Sequence, residues 1–389
     1  MKILYYCPEY YCRHGARTHA RGFFDALAVL PSVSESCIYP GCDPAEDAGE
    51  KSVTTPERGR LRFLPATVRQ LVRYFLPRRG LTRALINEIH THGCDALVIR
   101  TDTGQPMIGA IKKACPDTTV CLEINAADFD EAYFDVPFRS FFQKWEVRRY
   151  DRADGMVVVS SYLKNYLEER GVRPEKILVN QNGVSTAVVD RGGATHARED
   201  YGIPGDAFVI GYIGGMEPFR RLPELVHRIA ELRRAGNDDI YFLIVGDGAD
   251  MPAVRAAIEA GQDDLRDSVK CVGWREHAEI PKFLATFDLA VFPFTNAYCS
   301  PLKLFEYLGA GLPTIGPDTP AVREVFEDGV HLRLVKQDGS DFTETVLELK
   351  NSPQFRMELA RNGQRLVLGE YTWEKNAERV VGHIDAIRR

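Results

Sequence analysis

Short apolar runs alternate with helical periods from one end of the chain to the other, the pattern of parallel strands covered by helices. Two such series follow each other. The first predicts strands at residues 3–7, 36–39, 62–64, 96–100, 120–124, 156–159 and 177–179, with helices between them, residues 105–114 and 162–170 being the clearest. A polar, glycine-bearing stretch at residues 185–205 breaks the rhythm and reads as a linker. The second series predicts strands at residues 208–213, 241–245, 269–272, 289–292, 314–315 and 332–334. Its helices fall at residues 223–235, 251–260, 280–287, 302–309 and 342–351. After Pro353 the chain is helical throughout, with Thr372 a candidate N-cap for a last helix. No short-period repeat is present.

At 389 residues the chain fits two domains of ordinary size rather than one core. No apolar run approaches the ~20 residues of a membrane-spanning helix, and the first residues read as a strand rather than a signal peptide. The chain is therefore expected to begin folding at its own start. Nine cysteines, an odd number without a CxxC pair, argue against a disulfide framework and against a zinc site. A reduced, cytoplasmic location is the expectation. The net charge of -6 excludes bulk nucleic-acid binding as the main activity.

Charge is nonetheless uneven. Arg58, Arg60, Arg62, Arg69, Arg73, Arg78, Arg79 and Arg83 crowd one segment, interleaved with Leu61, Phe63, Leu64, Leu71, Val72, Tyr74, Phe75 and Leu76. Two readings stand side by side: a peripheral contact with anionic lipid headgroups or a lipid-diphosphate acceptor, and a packed helix with a solvated arginine face.

The most informative stretch runs from Ser300 through Pro301, Leu302, Lys303 and Glu306 to Pro313. It reads as a strand-end loop opening a helix, with Pro301 in the first turn, where proline is tolerated. The unpaired N–H groups of that turn attract an anion, Lys303 adds a positive charge beside them, and Glu306 can accept two ribose hydroxyl protons. A second strand-loop-helix segment, Gly214 to Val226, places glycines where backbone can approach an anion and Arg220 where it can close on a diphosphate.

These segments resemble the donor region of glycosyltransferases of the two-Rossmann-domain (GT-B) architecture, in particular the retaining family 4, glycosyl transferases group 1. The likeness runs over nearly the whole chain and is strongest from Asp154 to Pro313. It includes the stretches from Asp154 to Lys164 and from Lys176 to Val184, where Ser160 or Ser161 caps a helix and Asn182-Gly183-Val184 turns the chain. The resemblance implies an α/β fold of two Rossmann-like domains whose parallel sheets face each other across a cleft. Residues 1–190 would bind the acceptor, residues 191–365 the nucleotide-sugar donor, and residues 366–389 would form a helix crossing back to the first domain.

Residue by residue, the family's phosphate-binding arginine falls on Gly215 and its lysine on Arg220. Of its two glutamates with seven residues between them, the second is Glu306 and the first is replaced by Tyr298. Recognition of the sugar's ring hydroxyls then falls to Tyr298, Ser300 and backbone N–H groups. Trp274 and Arg275 match the strand end beside the nucleobase, with a core role for Trp274 as the alternative. Gly246-Asp247-Gly248 matches a strand-end turn and is expected just to turn the chain. In the first half, His14 and Gly15 lie where the family has a loop presenting N–H groups to donor phosphate or acceptor. Asn125 stands where many members have a histidine and would orient sugar or acceptor by hydrogen bonds. Glu123 or Asp128 could place negative charge near an oxocarbenium ion, or could be capping or core-satisfied groups.

The resulting expectation is an enzyme that transfers sugar from a nucleotide diphosphate sugar to a glycan, lipid-linked or small-molecule hydroxyl, with retention. Arg220, Lys303 and Asn125 would carry the chemistry, without a cofactor or a metal. Two other classes stay open: a nucleotide-sugar epimerase on the same fold, and an inactive nucleotide-sugar binding partner. NAD-dependent oxidoreduction ranks last, since no GxGxxG follows a strand.

Overall fold

The computed structural model of the protein describes residues 1–11, 15–40, 78–101, 106–126, 139–189 and 198–389. The chain divides into two compact units, Met1–Gln181 with Asn376–Arg389, and Asn182–Lys375. The strand expected at residues 62–64, His14, Asp128 and Arg58, Arg60, Arg62, Arg69 and Arg73 of the basic segment lie outside the described residues.

The first unit holds one parallel sheet of β1 (Lys2–Tyr6), β2 (Glu35–Tyr39), β3 (Ala96–Arg100), β4 (Thr119–Ile124), β5 (Gly155–Val158) and β6 (Ile177–Val179), in the order β2-β1-β3-β4-β5-β6. Every residue of β3, β4 and β5 is buried. A parallel strand covered on both faces has no polar side, which is why these segments read as unbroken apolar runs. The covering helices are α1 (Gly15–Val29), α2 (Arg79–His92), α3 (Ile108–Ala114), α4 (Arg139–Tyr150) and α5 (Ser161–Glu168).

Helix α2 ends at Gly93, whose left-handed φ of 62° lets its N–H reach Ile89 O. Arg79 and Arg83, the C-terminal part of the basic segment, are exposed on α2. Helix α3 starts at Ile108, later than the predicted 105. Helix α5 is capped by Ser160, whose Oγ accepts the Leu163 N–H at 3.4 Å.

The second unit is built from β7 (Phe208–Ile213), α6 (Leu222–Arg234), β8 (Ile240–Val245), α7 (Met251–Ala260), α8 (Gln262–Ser268), β9 (Val269–Gly273), α9 (Ile280–Leu284), β10 (Leu289–Val291), α10 (Leu302–Gly309), β11 (Thr314–Pro317), β12 (Arg333–Val335), α11 (Phe342–Asn351) and α12 (Pro353–Glu370). Its parallel sheet runs β12-β11-β10-β7-β8-β9. Read from β9, this is the doubly wound order in which the first strand lies at the centre.

In β7, a Cβ on Gly211 would overlap the ring of Phe287, so the strand's glycine makes room for a buried aromatic. That packing accounts for one difference from the sequence pattern. Helix α9 stops at Leu284, because Phe287 has left the helical path to lie on β7. Burying a side chain of this size contributes about 1.5–3 kcal/mol.

The terminal helical stretch is interrupted once. Residues Val184 and Thr372 form an isolated parallel bridge, Val184 N–H bonds Tyr371 O at 2.9 Å, and α13 (Trp373–Arg388) begins after it. Thr372 Oγ1 accepts the Lys375 N–H at 3.4 Å and so caps this helix as its sequence suggests. From Asn376 onward α13 belongs to the first unit, where Arg388 bonds Asp95 at 2.9 Å and Ile387 covers Gly155. No helix among the described residues is long and apolar enough to cross a membrane.

Candidate functional site

In the second unit, strand order reverses between β7 and β10, and open α/β sheets bind ligands outside the carboxyl ends of their strands at such a point. The loops leaving β7, β8 and β9 are sewn together by their backbones. Gly214 N–H bonds Val245 O at 3.0 Å, Gly246 N–H bonds Gly273 O at 2.9 Å and Met216 N–H bonds Asp247 O at 3.1 Å. Gly246 has φ 140° and a Cβ there would overlap Gly214 O, while a Cβ on Gly248 would come within 2.7 Å of Met216 backbone. Gly246-Asp247-Gly248 therefore does more than turn the chain: it lets three loops close into one backbone floor, beside which Gly215 is exposed.

Arg220 follows this floor on a single 3-10 turn, Pro218–Arg220. Its guanidinium lies between the rings of Phe219 and Phe292, 4.6 and 4.3 Å from their centroids. Nη1 donates to Phe294 O at 3.1 Å and Thr295 Oγ1 at 2.8 Å, joining the loop after β7 to the loop after β10. The cation is thus fixed in place, and among the described residues only Nη1 has a hydrogen-bond partner. The other N–H groups of the fork remain for an anion.

The next residue, Arg221, adopts a left-handed conformation with φ 52°. For a residue with a Cβ this costs roughly 1–2 kcal/mol. Bonds to Glu224 and Gln337 O and a seat 4.2 Å over the Phe294 ring hold it there.

Helix α10 begins at Leu302. Pro301 is extended, φ -72° and ψ 111°, and precedes the first turn rather than sitting in it as the sequence suggested. No side chain caps this end, so the helix start presents N–H groups and the positive end of its dipole. Lys303 Nζ is 2.6 Å from Glu306 Oε2, so the positive charge expected beside the helix start is already paired.

Glu306 is only 2 % exposed; its other oxygen, Oε1, and Ser300 Oγ are buried without a hydrogen-bond partner. A buried polar atom left unpaired costs about 1–3 kcal/mol. Two of them beside one helix start mark a place where hydroxyl or N–H groups of a ligand would complete the bonding.

Neighbouring residues hold this arrangement. Tyr307 OH accepts the Ile213 N–H at 2.7 Å and donates to Ile213 O at 3.1 Å, locking α10 to the end of β7. Asn182, read in the sequence as part of a turn, donates from Nδ2 to Ser300 O at 2.6 Å. Neither contact was visible beforehand, because each joins residues far apart in sequence.

Tyr298 is buried, and its hydroxyl accepts a bond from Asn296 Nδ2 at 3.3 Å. Trp274 is 40 % exposed, which overturns its reading as a core residue. Arg275 donates to Trp274 O at 2.9 Å and to Tyr201 OH at 3.1 Å.

In the first unit, Gly15 is the first residue of α1, and Asn125 follows β4 at the carboxyl edge of the sheet. Glu123 on β4 is a hub. Its Oε2 accepts Tyr5 OH at 2.8 Å, and its Oε1 is met by Arg100, by His19 Nε2 at 2.7 Å and by Asn125 Nδ2 at 2.8 Å. Arg100 also pairs with Glu9 at 2.7 Å.

Burial alone would raise the Glu123 carboxyl. The charges of His19 and Arg100 and bonds from His19 and Asn125 outweigh it and hold the group well below the usual range. Glu123 is therefore the core-satisfied group that was one of its two sequence readings, with its carboxylate occupied by four protein donors. His19 was missed. Its signal lay in spacing, since His19, Phe23 and Leu27 recur on the buried face of α1.

Beneath them is a cavity of about 10 Å³ lined by His19, Glu123, Asn125, Asn180 and Asn376. That is room for one water. Asn180 Oδ1, buried without a partner, would face it.

Comparison with known proteins places these features. The family profile described as Glycosyl transferases group 1 matches residues 207–352, and that described as Glycosyltransferase Family 4 matches residues 36–188. The chain is 26% identical over 186 residues to alpha-D-kanosaminyltransferase of Streptomyces kanamyceticus, covering 48% of this chain and 47% of that protein. It is 23% identical over 233 residues to lipopolysaccharide 1,2-N-acetylglucosaminetransferase of Salmonella typhimurium, covering 58% and 60% respectively. The chain thus spans about half the length of the curated relatives it matches.

Among solved structures, Anabaena HepE in complex with UDP and glucose superposes with a TM-score of 0.72 at 17% identity, covering 99% of this chain and 100% of that one. Sucrose-phosphate synthase from Thermosynechococcus elongatus superposes with a TM-score of 0.73 at 16% identity, covering 100% and 99%. At such identities the likeness speaks for the fold, an α/β architecture with two six-stranded parallel sheets of the GT-B type.

Proposed function

Because the chain belongs to the group 1 glycosyl transferases of family 4, we propose that it moves a glycosyl group from a nucleoside diphosphate sugar to an acceptor hydroxyl, with retention at the anomeric carbon. The observation that carries this reading is the pair of buried, unpartnered oxygens, Glu306 Oε1 and Ser300 Oγ, at the uncapped start of α10. Ribose hydroxyls would donate to Glu306, and Ser300 would meet the sugar or the ribose.

The departing diphosphate carries the charge that develops in the reaction. The free N–H groups of Arg220, the Lys303 ammonium and the N-terminus of α10 would stabilise it, a preorganised arrangement that needs no metal ion. Trp274, exposed at the end of β9, offers a face to the base, with Arg275 beside it. Gly215 leaves space for the phosphates, and Tyr298 lies where the family's first glutamate would stand.

Retention follows the family resemblance, in which the leaving phosphate takes the acceptor proton. Among the described residues Glu123 is engaged by four donors and Asn125 cannot serve as a base, which agrees with that route. Asn125, held by Glu123, would orient sugar or acceptor.

The HepE complex contains UDP and glucose, and by their names one relative transfers a kanosaminyl group and the other is a lipopolysaccharide N-acetylglucosaminetransferase. A UDP-sugar donor and a glycan, lipid-linked or small-molecule acceptor are accordingly our first choice. A cytoplasmic protein touching the membrane surface through the basic segment would fit a lipid-linked acceptor.

The test is calorimetric binding of UDP, GDP, ADP and their sugar conjugates with and without EDTA, followed by acceptor-dependent turnover. One nucleoside diphosphate should bind irrespective of EDTA, and sugar should leave the donor only when an acceptor hydroxyl is present. Isomerised donor without acceptor would make the protein an epimerase. Tight donor binding with no turnover over a broad acceptor panel would make it a binding partner, and no nucleotide binding would remove the donor site.

A further inference from the structure

Far from Asn125, at the amino ends of the strands of the first sheet, a carboxylate, a thiol and an imidazole converge. Glu35 opens the edge strand β2 and Cys37 lies two residues on, hence on the same face. His92 ends α2. Glu35 Oε1 is 3.1 Å from His92 Nδ1 and 3.6 Å from Cys37 Sγ, and all three atoms lie within 4.8 Å of one another. We propose that Glu35 Oε1, Cys37 Sγ and His92 Nδ1 form a binding site for one zinc ion, with water in the fourth position.

Three features beyond proximity support it. Tetrahedral zinc with ordinary bond lengths sets N···O edges of about 3.3 Å and S···O edges of about 3.6 Å. Two of the three edges are therefore already near their bound lengths, and a small side-chain rotation closes the third.

Groups around the ligands are also placed for the role. His92 turns its other nitrogen, Nε2, toward Glu88 Oε2 at 3.5 Å, and Glu35 turns its other oxygen, Oε2, toward Lys2 Nζ at 2.9 Å. A ligating histidine held by a carboxylate through its second nitrogen is the usual support of a metal centre. Lys2 can stay on Oε2 while Oε1 takes the ion.

Charge also balances. One thiolate and one carboxylate neutralise the ion, and the thiolate selects zinc over magnesium or calcium. An ordinary cysteine thiol is protonated at neutral pH when the site is empty. Binding forms the S–Zn bond, breaks the S–H bond and releases one proton to the buffer. The ion would tie the edge strand β2 to α2, and lies apart from the residues assigned to transfer.

The experiment titrates Zn²⁺ into full-length, tag-free protein freed of metal by EDTA, in competition with a chromophoric chelator. One ion per chain should bind with a micromolar or tighter Kd, releasing one proton, and Co²⁺ should give a thiolate-to-metal charge-transfer band. Cys37→Ser should abolish the band, and it and His92→Gln should each weaken binding roughly a hundredfold. Glu88→Gln should weaken it about tenfold, and Cys271→Ser in the other unit should change nothing. Heat unfolding of each variant without metal checks that it is folded. Absence of stoichiometric binding, or binding unaltered in both Cys37→Ser and His92→Gln, would overturn the assignment.

Discussion

Replacing Glu306 by glutamine changes one oxygen to an amide and nothing in shape, and its effects on stability and on binding should run in opposite directions. In the free protein Glu306 is a buried carboxylate with Oε2 on Lys303 and Oε1 on nothing. An unpaired buried acceptor costs about 1–3 kcal/mol. The amide leaves one position under-bonded as before, but an uncharged group is cheaper to bury than a carboxylate, and that gain is set against the loss of the Lys303 ion pair, with Lys303 able to turn to solvent. The free variant should therefore be as stable as the parent or up to about 2 kcal/mol more so, which for a unit of this size raises Tm by up to roughly 4–8 °C.

Binding should fall, because a hydrogen bond to a charged group contributes about 1.5–3 kcal/mol. Nucleoside diphosphate affinity should then drop roughly 10- to 150-fold. Calorimetry with UDP and with its 2′,3′-dideoxy analogue separates the causes. The parent should prefer UDP strongly and Glu306→Gln should bind the two nearly alike. Equal losses for both ligands would refute contact with the ribose hydroxyls, and a large fall in Tm would refute the claim that the buried charge costs more than its ion pair contributes.

Two more outcomes follow from fixed side chains. Arg220→Lys keeps a charge but loses the planar fork that reaches Phe294 O and Thr295 while offering N–H groups outward, so turnover should drop roughly a hundredfold or more; affinity for the nucleoside alone should stay, and near-normal turnover would sink the role. Glu123→Gln leaves Arg100 and His19 facing a neutral group and should cost about 3–5 kcal/mol at neutral pH. Since the folded Glu123 carboxyl titrates below its unfolded value of 4.5, its contribution is full above that pH and is lost as pH falls beneath it. Urea midpoints measured from pH 7 to 3 should fall more steeply in the parent than in Glu123→Gln; parallel curves would remove Glu123 from the acid limb.

The sequence pattern located elements best where burial is two-sided. Strands β3 and β7 and helix α10 carry the bounds expected of them, because an apolar run or a helical period is written locally. Helix α4 gave no such signal. Its Gln143 and Glu146 are buried, Glu146 taking bonds from Tyr150 OH at 3.1 Å and Tyr166 OH at 3.3 Å, so its inward face is polar.

Within the candidate site, Lys303 and Glu306 were legible because one helical turn relates them. Ties that depend on which strands are neighbours were not: Arg220 to Thr295, Tyr307 to Ile213, Asn182 to Ser300. The same holds for the proposed zinc ligands, where the cysteine count argued against a site. Cys37 and His92 share no spacing motif; only the placement of β2 beside α2 brings them together.

The backbone floor formed by Gly214, Gly246 and Gly248 bears on how such a protein can change. At Gly246 and Gly248 side chains are excluded by collision with main-chain atoms that serve the same floor, so almost any substitution there would disrupt the joined loops. On the proposed reading, variation in donor choice would then fall to positions outside the floor, such as Trp274, Tyr298 and Ser300, whose side chains do not build it. A library built to redirect the donor should diversify those positions and hold the glycines constant, since the evolvable part of this pocket and its unalterable part are adjacent but separate.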